Sequence, residues 1–284
     1  MKKVLILGVE HFIGIQLANK LLEEDVQVDG LILKEDHMLE RGWNNEALLF
    51  IGRNSFFTVK QEQDLDLFND SYDDIYMLHF LFEGSWFNTK SMITKWLHYV
   101  YEHNPNRVMV LSTYEIIGEK QQSFGEKNQP QPSTRRGEQL LNAETWLDDQ
   151  LSYTTISHVF LHIPTVFGPW QPPNHWISEC IISTKNSSST RGTKIIRDVL
   201  YIDEVLNKII DPPIDGKNIS YFLSSQNEKR IQQFIELLNS PHVIYLPIEL
   251  DESVVISVPT LINIEKGVQR QKEFLVSYKR RLSM

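Results

Sequence analysis

Residues 4–17 read Val4-Leu5-Ile6-Leu7-Gly8-Val9-Glu10-His11-Phe12-Ile13-Gly14-Ile15-Gln16-Leu17, and the hydrophobic period changes inside this stretch. Val4 to Leu7 form a continuous apolar run, too short for a helix and bounded by Gly8, which is the pattern of a strand buried on both faces. From Phe12 the spacing is helical. Ile13, Leu17 and Leu21 recur four apart with Ala18 and Leu22 beside them, while Gln16, Asn19, Lys20, Glu23 and Glu24 are polar. Strand, glycine turn and amphipathic helix in this order bring helix N-terminal amides to the carboxyl edge of a sheet, where a dinucleotide pyrophosphate can sit. The turn keeps Gly8 and Gly14 but has His11 where a third glycine at this spacing would stand. A side chain there fills the space through which backbone approaches phosphate, and Glu10 adds negative charge beside it. Two readings stay open at this point: the glycines serve turn and packing alone, or they hold a cofactor.

Outward from this unit, strands are expected at Val28–Leu33, Phe56–Val59, within Tyr72–Phe80, at Arg107–Leu111 and at Tyr153–His162. Helices are expected at Trp86–His103 and from Arg136, and Gln121–Thr134 reads as a surface loop. The alternation indicates a parallel, doubly wound sheet. The second strand ends Leu31-Ile32-Leu33-Lys34, with Glu35 and Asp36 arriving late. An acid at a strand end of this kind bonds ribose hydroxyls, so either a loop acid is recruited or the contact is absent. Bulky Phe80 and Leu81 stand at the fourth strand's exit, and His79 reads as a packed core histidine. The helix around Trp96 is aromatic on more than one side, which suits core or a dimer face.

The formal net charge of −9 over 284 residues argues against a general nucleic-acid or anionic-membrane surface. Cys180 is the only cysteine, so neither an intrachain disulfide nor a cysteine-rich metal site is expected, and it reads as a buried small residue. The short apolar run broken by Gly8 and Glu10 is no signal peptide, and no segment has the length of a membrane span. A cytoplasmic protein without a metal is the expectation.

The second half supplies longer strings. Pro164-Thr165-Val166-Phe167-Gly168-Pro169-Trp170-Gln171-Pro172-Pro173 leaves the sixth strand, and Ile196-Arg197-Asp198-Val199-Leu200-Tyr201-Ile202-Asp203-Glu204-Val205 reads as a strand turning into a helix. A strand at Ile219–Ser225, a helix at Ile231–Leu238 and an amphipathic tail at Pro259–Arg281 follow. With the opening Gly8, Phe12, Ile13 and Gly14, these strings resemble the extended short-chain dehydrogenase/reductase family over nearly the whole chain. The likeness is to its NAD-dependent epimerase/dehydratase branch and to the 4-epimerases of UDP-glucuronate or UDP-glucose. The resemblance implies an α/β fold, a Rossmann-like doubly wound parallel sheet with a smaller C-terminal substrate lobe. The division would be 1–163 and 164–284, with segments around 195–225 returning to the sheet. It implies NAD or NADP as cofactor, a nucleotide sugar as ligand and a homodimer as the assembly.

Carried over by position, the resemblance puts Gly8, Phe12, Ile13, Gly14, Asp64 and Leu65 at the cofactor, and Asn88, Thr165 and Arg197 at the substrate. A guanidinium such as that of Arg197 suits a diphosphate by forked, charge-assisted bonding. Thr113, five residues before Gly118, falls at the catalytic Ser/Thr position, with Tyr114 beside it. The departures are specific. The family's chemistry uses a Tyr and a Lys four residues on, and those positions hold Arg136 and Leu140. Arginine stays protonated and leucine has no donor, so neither can move the sugar proton. His11 and Ile32 weaken the cofactor features independently. The sequence is thus read as an epimerase/dehydratase-like protein that acts on or binds a nucleotide sugar, with a ligand-sensing or scaffold protein on the same fold as the alternative.

Overall fold

The computed structural model describes residues 1–32, 38–61, 70–81, 86–182, 192–212 and 219–282. In chain order its elements are β1 (Lys3–Leu7), α1 (Phe12–Glu23), β2 (Gln27–Ile32), α2 (Met38–Ile51), β3 (Phe57–Gln61), β4 (Asp74–Met77), α3 (Trp86–His103) and β5 (Arg107–Thr113). There follow β6 (Ser123–Phe124), α4 (Arg135–Ser152), β7 (Ser157–Ile163), β8 (Thr165–Phe167), α5 (Trp176–Ile182), β9 (Lys194–Ile196), β10 (Val199–Tyr201) and α6 (Ile202–Ile210). The last are β11 (Ile219–Ser224), α7 (Glu228–Leu238), β12 (Val243–Tyr245), β13 (Glu249–Leu250), β14 (Val255–Ser257) and α8 (Ile264–Leu282). Eight strands form one Rossmann-like parallel sheet in the order β14-β11-β7-β5-β4-β1-β2-β3. The chain therefore turns back between β1 and β4, the switch point at which doubly wound sheets open a crevice.

Two compact units divide the chain: residues 1–121, 127–162 and 214–221 form the first, and residues 122–126, 163–213 and 222–284 the second. Within residues 195–225, β11 joins the large sheet, whereas β9 pairs with β12 and β10 with β8 in separate two-stranded ladders.

In the first unit, β1 is central and apolar on both faces, with Val4, Leu5, Ile6 and Leu7 fully buried. One polar group breaks into this region: Asp29 lies buried in β2 and accepts from the Tyr72 hydroxyl at 2.6 Å, with Lys3 Nζ at 3.2 Å and Lys60 Nζ at 3.0 Å. Asp70 bridges the same two lysines, at 2.9 and 3.1 Å. Burial and the Asp29 carboxylate push the Tyr72 phenol well above its ordinary value, so it stays a donor.

The structure departs from the sequence expectations at several boundaries. β4 stops at Met77, and His79–Leu81 form a single 3-10 turn rather than strand. β7 begins only at Ser157, because Tyr153 is the C-cap of α4 and is 83% exposed. The loop at Gln121–Thr134 contains β6, which pairs with β13. The sequence reading lacked α2 altogether. Trp96 is core, edge-on to Tyr99, and so is no exposed dimer face. Cys180 is half-buried rather than buried, with its thiol pushed up mainly by burial.

Candidate functional site

The first βα turn is built by its glycines and filled by its other side chains. Gly8 has φ +87°, and its amide and that of Val9 both donate to the Leu31 carbonyl, at 2.9 and 3.2 Å. A Cβ on Gly14 would lie 2.7 Å from the Gly8 carbonyl oxygen, so α1 meets the turn backbone to backbone. Phe12 and Ile13 are buried in the core behind it. His11 is the N-cap of α1, and its Nδ1 accepts from the Ile13 amide at 3.3 Å. One of the orphan donors at the helix start is therefore used by the protein's own imidazole. Glu10 is buried beside it, and the Val9 side chain packs so closely on Gly30 that a Cβ there would sit 2.8 Å from Val9 Cγ1.

A pyrophosphate at this turn would compete with His11 for the Ile13 amide. Ile32, half-buried at the end of β2, offers no acceptor for ribose hydroxyls. His11 and Ile32 thus occupy two places at which a dinucleotide takes contacts, the helix-start amide and the strand end. Asp64 and Leu65 lie outside the described residues, as does the side chain of Asn88, whose backbone belongs to α3.

Beyond the switch point, His79 is buried against Phe80 with ring centroids 4.2 Å apart, and burial pulls its imidazole down to about 3. It is neutral core, as the sequence indicated. β5 delivers Thr113 at its carboxyl end. There the threonine caps a 3-10 turn, Tyr114–Ile116, and its Oγ1 accepts from the Glu115 amide at 3.2 Å. Accepting that bond leaves the Thr113 hydroxyl hydrogen for another group. Tyr114 is buried in the turn behind it.

Helix α4 starts at a Thr134 N-cap and runs directly over this turn. A Cβ on Gly137 would collide with the Glu115 carbonyl oxygen, so the glycine sets how closely helix and turn approach. Arg136, at the position where the sequence comparison expects a tyrosine, forms an ion pair with Glu115. Leu140, at the expected lysine, is buried in the core. One turn further, Glu144 accepts from the Ser112 hydroxyl through Oε1 and contacts His162 Nε2 at 2.9 Å through Oε2. His162 Nδ1 lies 3.3 Å from the Tyr221 carbonyl oxygen and 3.4 Å from Ser220 Oγ.

In the second unit, β8 pairs with β10, which brings Thr165 to the Arg197–Asp198 corner; the Thr165 amide donates to the Asp198 carbonyl at 3.2 Å. Asp198 accepts from Ser224 Oγ at 2.6 Å, from Ser225 Oγ at 2.5 Å, and from the Ser225 and Val199 amides at 2.7 and 2.6 Å. Arg197, next to it, is 8% exposed. The string after Thr165 is pinned by α8: Gln271 Oε1 accepts from the Gly168 amide at 3.0 Å, and its Nε2 donates to Gln171 Oε1 at 2.8 Å and to Ser178 Oγ at 3.2 Å. Gly168 at φ +154° and Trp170 at φ +67° give this exit its bends.

The structure thus gathers Gly8, Phe12, Ile13 and Gly14 at one turn, Thr113 and Tyr114 under α4, and Thr165 with Arg197 in the second unit. Sequence reasoning missed Glu115, Glu144, His162 and Gln271. A signal for the second was present: Arg136, Leu140 and Glu144 recur every four residues and so share one helix face.

Among solved structures, UDP-glucuronic acid 4-epimerase from Bacillus cereus, in complex with UDP-glucuronic acid and NAD, superposes with a TM-score of 0.75 at 19% identity, covering 97% of this chain and 99% of that one. UDP-glucose 4-epimerase from Thermotoga maritima gives 0.68 at 16% identity, over 97% and 99% of the two chains. The fold is that of the extended short-chain dehydrogenases/reductases. A dTDP-glucose 4,6-dehydratase of the same fold, from Bacillus anthracis in complex with NAD, gives 0.68 at 14% identity over 99% and 98%. The sequence matches no family model and no curated protein. Among the described residues, no helix of this extended short-chain fold is long and apolar enough to cross a membrane, and no group of three or more His, Cys, Asp or Glu could hold a metal ion.

Proposed function

We propose that this chain binds a nucleotide sugar and does not run the proton and hydride transfer that its fold carries elsewhere. The observation that carries this reading is the face of α4. Arg136 is neutralised by Glu115 and Leu140 is buried, so the two positions that would hold and tune a phenolate have no titratable group near neutral pH. The self-capped first turn supports it from a second place. On the binding side, the Thr113 hydroxyl has a hydrogen to give a sugar oxygen, and Arg197 beside Thr165 suits a diphosphate.

The test is thermal unfolding of the purified protein with UDP-glucuronate, UDP-glucose, NAD and NADP, combined with an epimerisation assay. A UDP-sugar at a hundred times its Kd should stabilise the protein by about 2.7 kcal/mol, NAD and NADP should leave Tm unchanged, and Arg197→Ala should abolish the sugar-nucleotide shift. Turnover of a UDP-sugar with either cofactor would reverse the conclusion and make Thr113 the first residue to test, by Thr113→Val, as part of a non-standard catalytic set.

A further inference from the structure

We propose that α4 has become a clamp for Thr113, in which Arg136, Glu144 and His162 are positioning residues that aim the Thr113 hydroxyl at a bound sugar. This inference rests on the sugar-binding reading above and deepens it. Thr113 and Tyr114 are bracketed by Ser112 and Glu115, and both brackets are held by the same stripe of one helix. Arg136 takes Glu115 on the far side, and Glu144, eight residues along α4, takes Ser112 on the near side. Gly137 sets the distance between helix and turn, because the atom its Cβ would strike is the Glu115 backbone carbonyl. Three contacts over two helical turns leave the intervening dipeptide little freedom to tilt.

His162 makes the near side rigid. Ser112 and His162 are fully buried, and Glu144 is 7% exposed. The carboxylate receives the Ser112 hydroxyl on one oxygen and faces the imidazole with the other, and the ring's second nitrogen faces the Tyr221 carbonyl. A helix, two strands and the end of β5 are therefore joined by side chains that are almost wholly buried, and a lost bond would leave a buried polar group short of a partner.

The same residues do not form nucleophilic machinery. Glu144 lies between Ser112 and His162 and bonds both, an order of hydroxyl, carboxylate and imidazole rather than the hydroxyl, imidazole and carboxylate order in which a base activates its nucleophile. Ser220 is nearer the ring, but the Nδ1 it meets at 3.4 Å is closer still to the Tyr221 carbonyl, an acceptor that requires a proton on that nitrogen.

The experiment is a calorimetric double-mutant cycle with two probes, UDP-glucuronate and UDP. Thr113→Val should weaken UDP-glucuronate about five- to tenfold, the size of one lost neutral hydrogen bond, and leave UDP unchanged. Glu144→Ala, which removes the acceptor of Ser112 and the partner of His162 together, should produce a loss of similar size for UDP-glucuronate alone, and it should add almost nothing in the Thr113→Val background. Additive losses, or UDP weakening in parallel, would overturn the clamp while leaving the sugar contact intact. Unchanged binding in Thr113→Val would remove the contact and the clamp together. Because Glu144 is buried, the half-exposed side is tested as well: Arg136→Glu should weaken UDP-glucuronate alone, and the exchanged pair Glu115→Arg with Arg136→Glu should restore it. Failure of the exchange to restore affinity counts against the proposal even if every Glu144 variant misfolds.

Discussion

Two buried glutamates, one in each unit, are hubs of different kinds. Glu204, on α6 and 1% exposed, takes a forked bond from Arg230 at 3.0 and 2.5 Å, the Tyr201 amide at 2.8 Å and the Leu261 amide at 2.9 Å. Its partners are a permanent cation and main-chain groups, so it joins α6, α7 and the approach to α8 as part of the fold itself. Glu144 instead binds a hydroxyl and an imidazole, and what it joins is the flank of Thr113. The first hub has nothing to adjust; the second is composed of side chains that can be exchanged without rewriting the backbone. The difference teaches where this fold tolerates change: the face beside Thr113 is held by exchangeable side-chain pairs, while in the second unit Asp198 and Glu204 are each bonded to main-chain amides.

The sharpest way to break the comparison is Glu204→Ala. It strands the Arg230 guanidinium and two or more amides in the interior, and removing one partner of a buried ion pair costs roughly 3–5 kcal/mol. Urea unfolding should show a midpoint far below that of the parent chain. A loss under about 1 kcal/mol, the size of a surface pair, would mean that Glu204 is no hub.

Gly137→Ala comes next and sets two effects against each other. Alanine gains about 1 kcal/mol of helix propensity over glycine, but here its methyl group meets the Glu115 carbonyl, a backbone atom that cannot rotate away. Overpacking of this kind costs about 1–3 kcal/mol, so the net change should be destabilising. UDP-glucuronate affinity should fall with it. A variant more stable than its parent would show that helix and turn are not in contact in solution.

Glu144→Gln should be milder than Glu204→Ala, a loss of about 1–2 kcal/mol, because glutamine keeps an acceptor for Ser112 and only the charge-assisted bond to His162 is weakened. Equal losses at the two glutamates in the same urea series would erase the distinction between them.

Much of this was legible in residues 4–17 and in the strings at Thr165–Pro173 and Arg197–Glu204, because glycine turns and alternating strands are local signals. The first turn shows the boundary well. Its strand, cap position and helix could be read from period alone, but that His11 itself caps α1 through Nδ1 depends on a side-chain rotamer. That Arg136 and Leu140 stand where the resemblance implies a Tyr and a Lys was also readable, whereas the partner of Arg136 was not. Glu115 is 21 residues from Arg136 and Ser112 is 32 residues from Glu144, so those contacts exist only once the sheet is assembled. Trp96 stayed open between core and dimer face for a related reason: an aromatic helix face looks the same in sequence whether a core or a second subunit covers it.

The smallest expected effect contrasts two aspartates, one from each unit, whose titration tilts stability in opposite directions. In the first unit, hydrogen bonds from Lys3 and then Lys60 hold the Asp70 carboxyl below its ordinary 3.8, with burial opposing weakly. Its contribution is fully present above 3.8 and is lost as pH falls through the lower folded value. In the second unit, burial raises the Asp198 carboxyl, against the Ser224 and Ser225 bonds that favour its charge. Its contribution is present below 3.8 and is lost as pH rises through the higher folded value. Asp70→Asn should therefore flatten the acid side of a stability–pH curve, and Asp198→Asn should flatten the decline on the other side of 3.8. The first change will be modest, because 48% of the Asp70 side chain is open to solvent and water screens its lysines. Urea midpoints measured across the acid range read both slopes at once. The same slope change from the two variants would mean that the lysine pair and the serine pair hold their aspartates alike, and it would leave the contrast between the units resting on the glutamates alone.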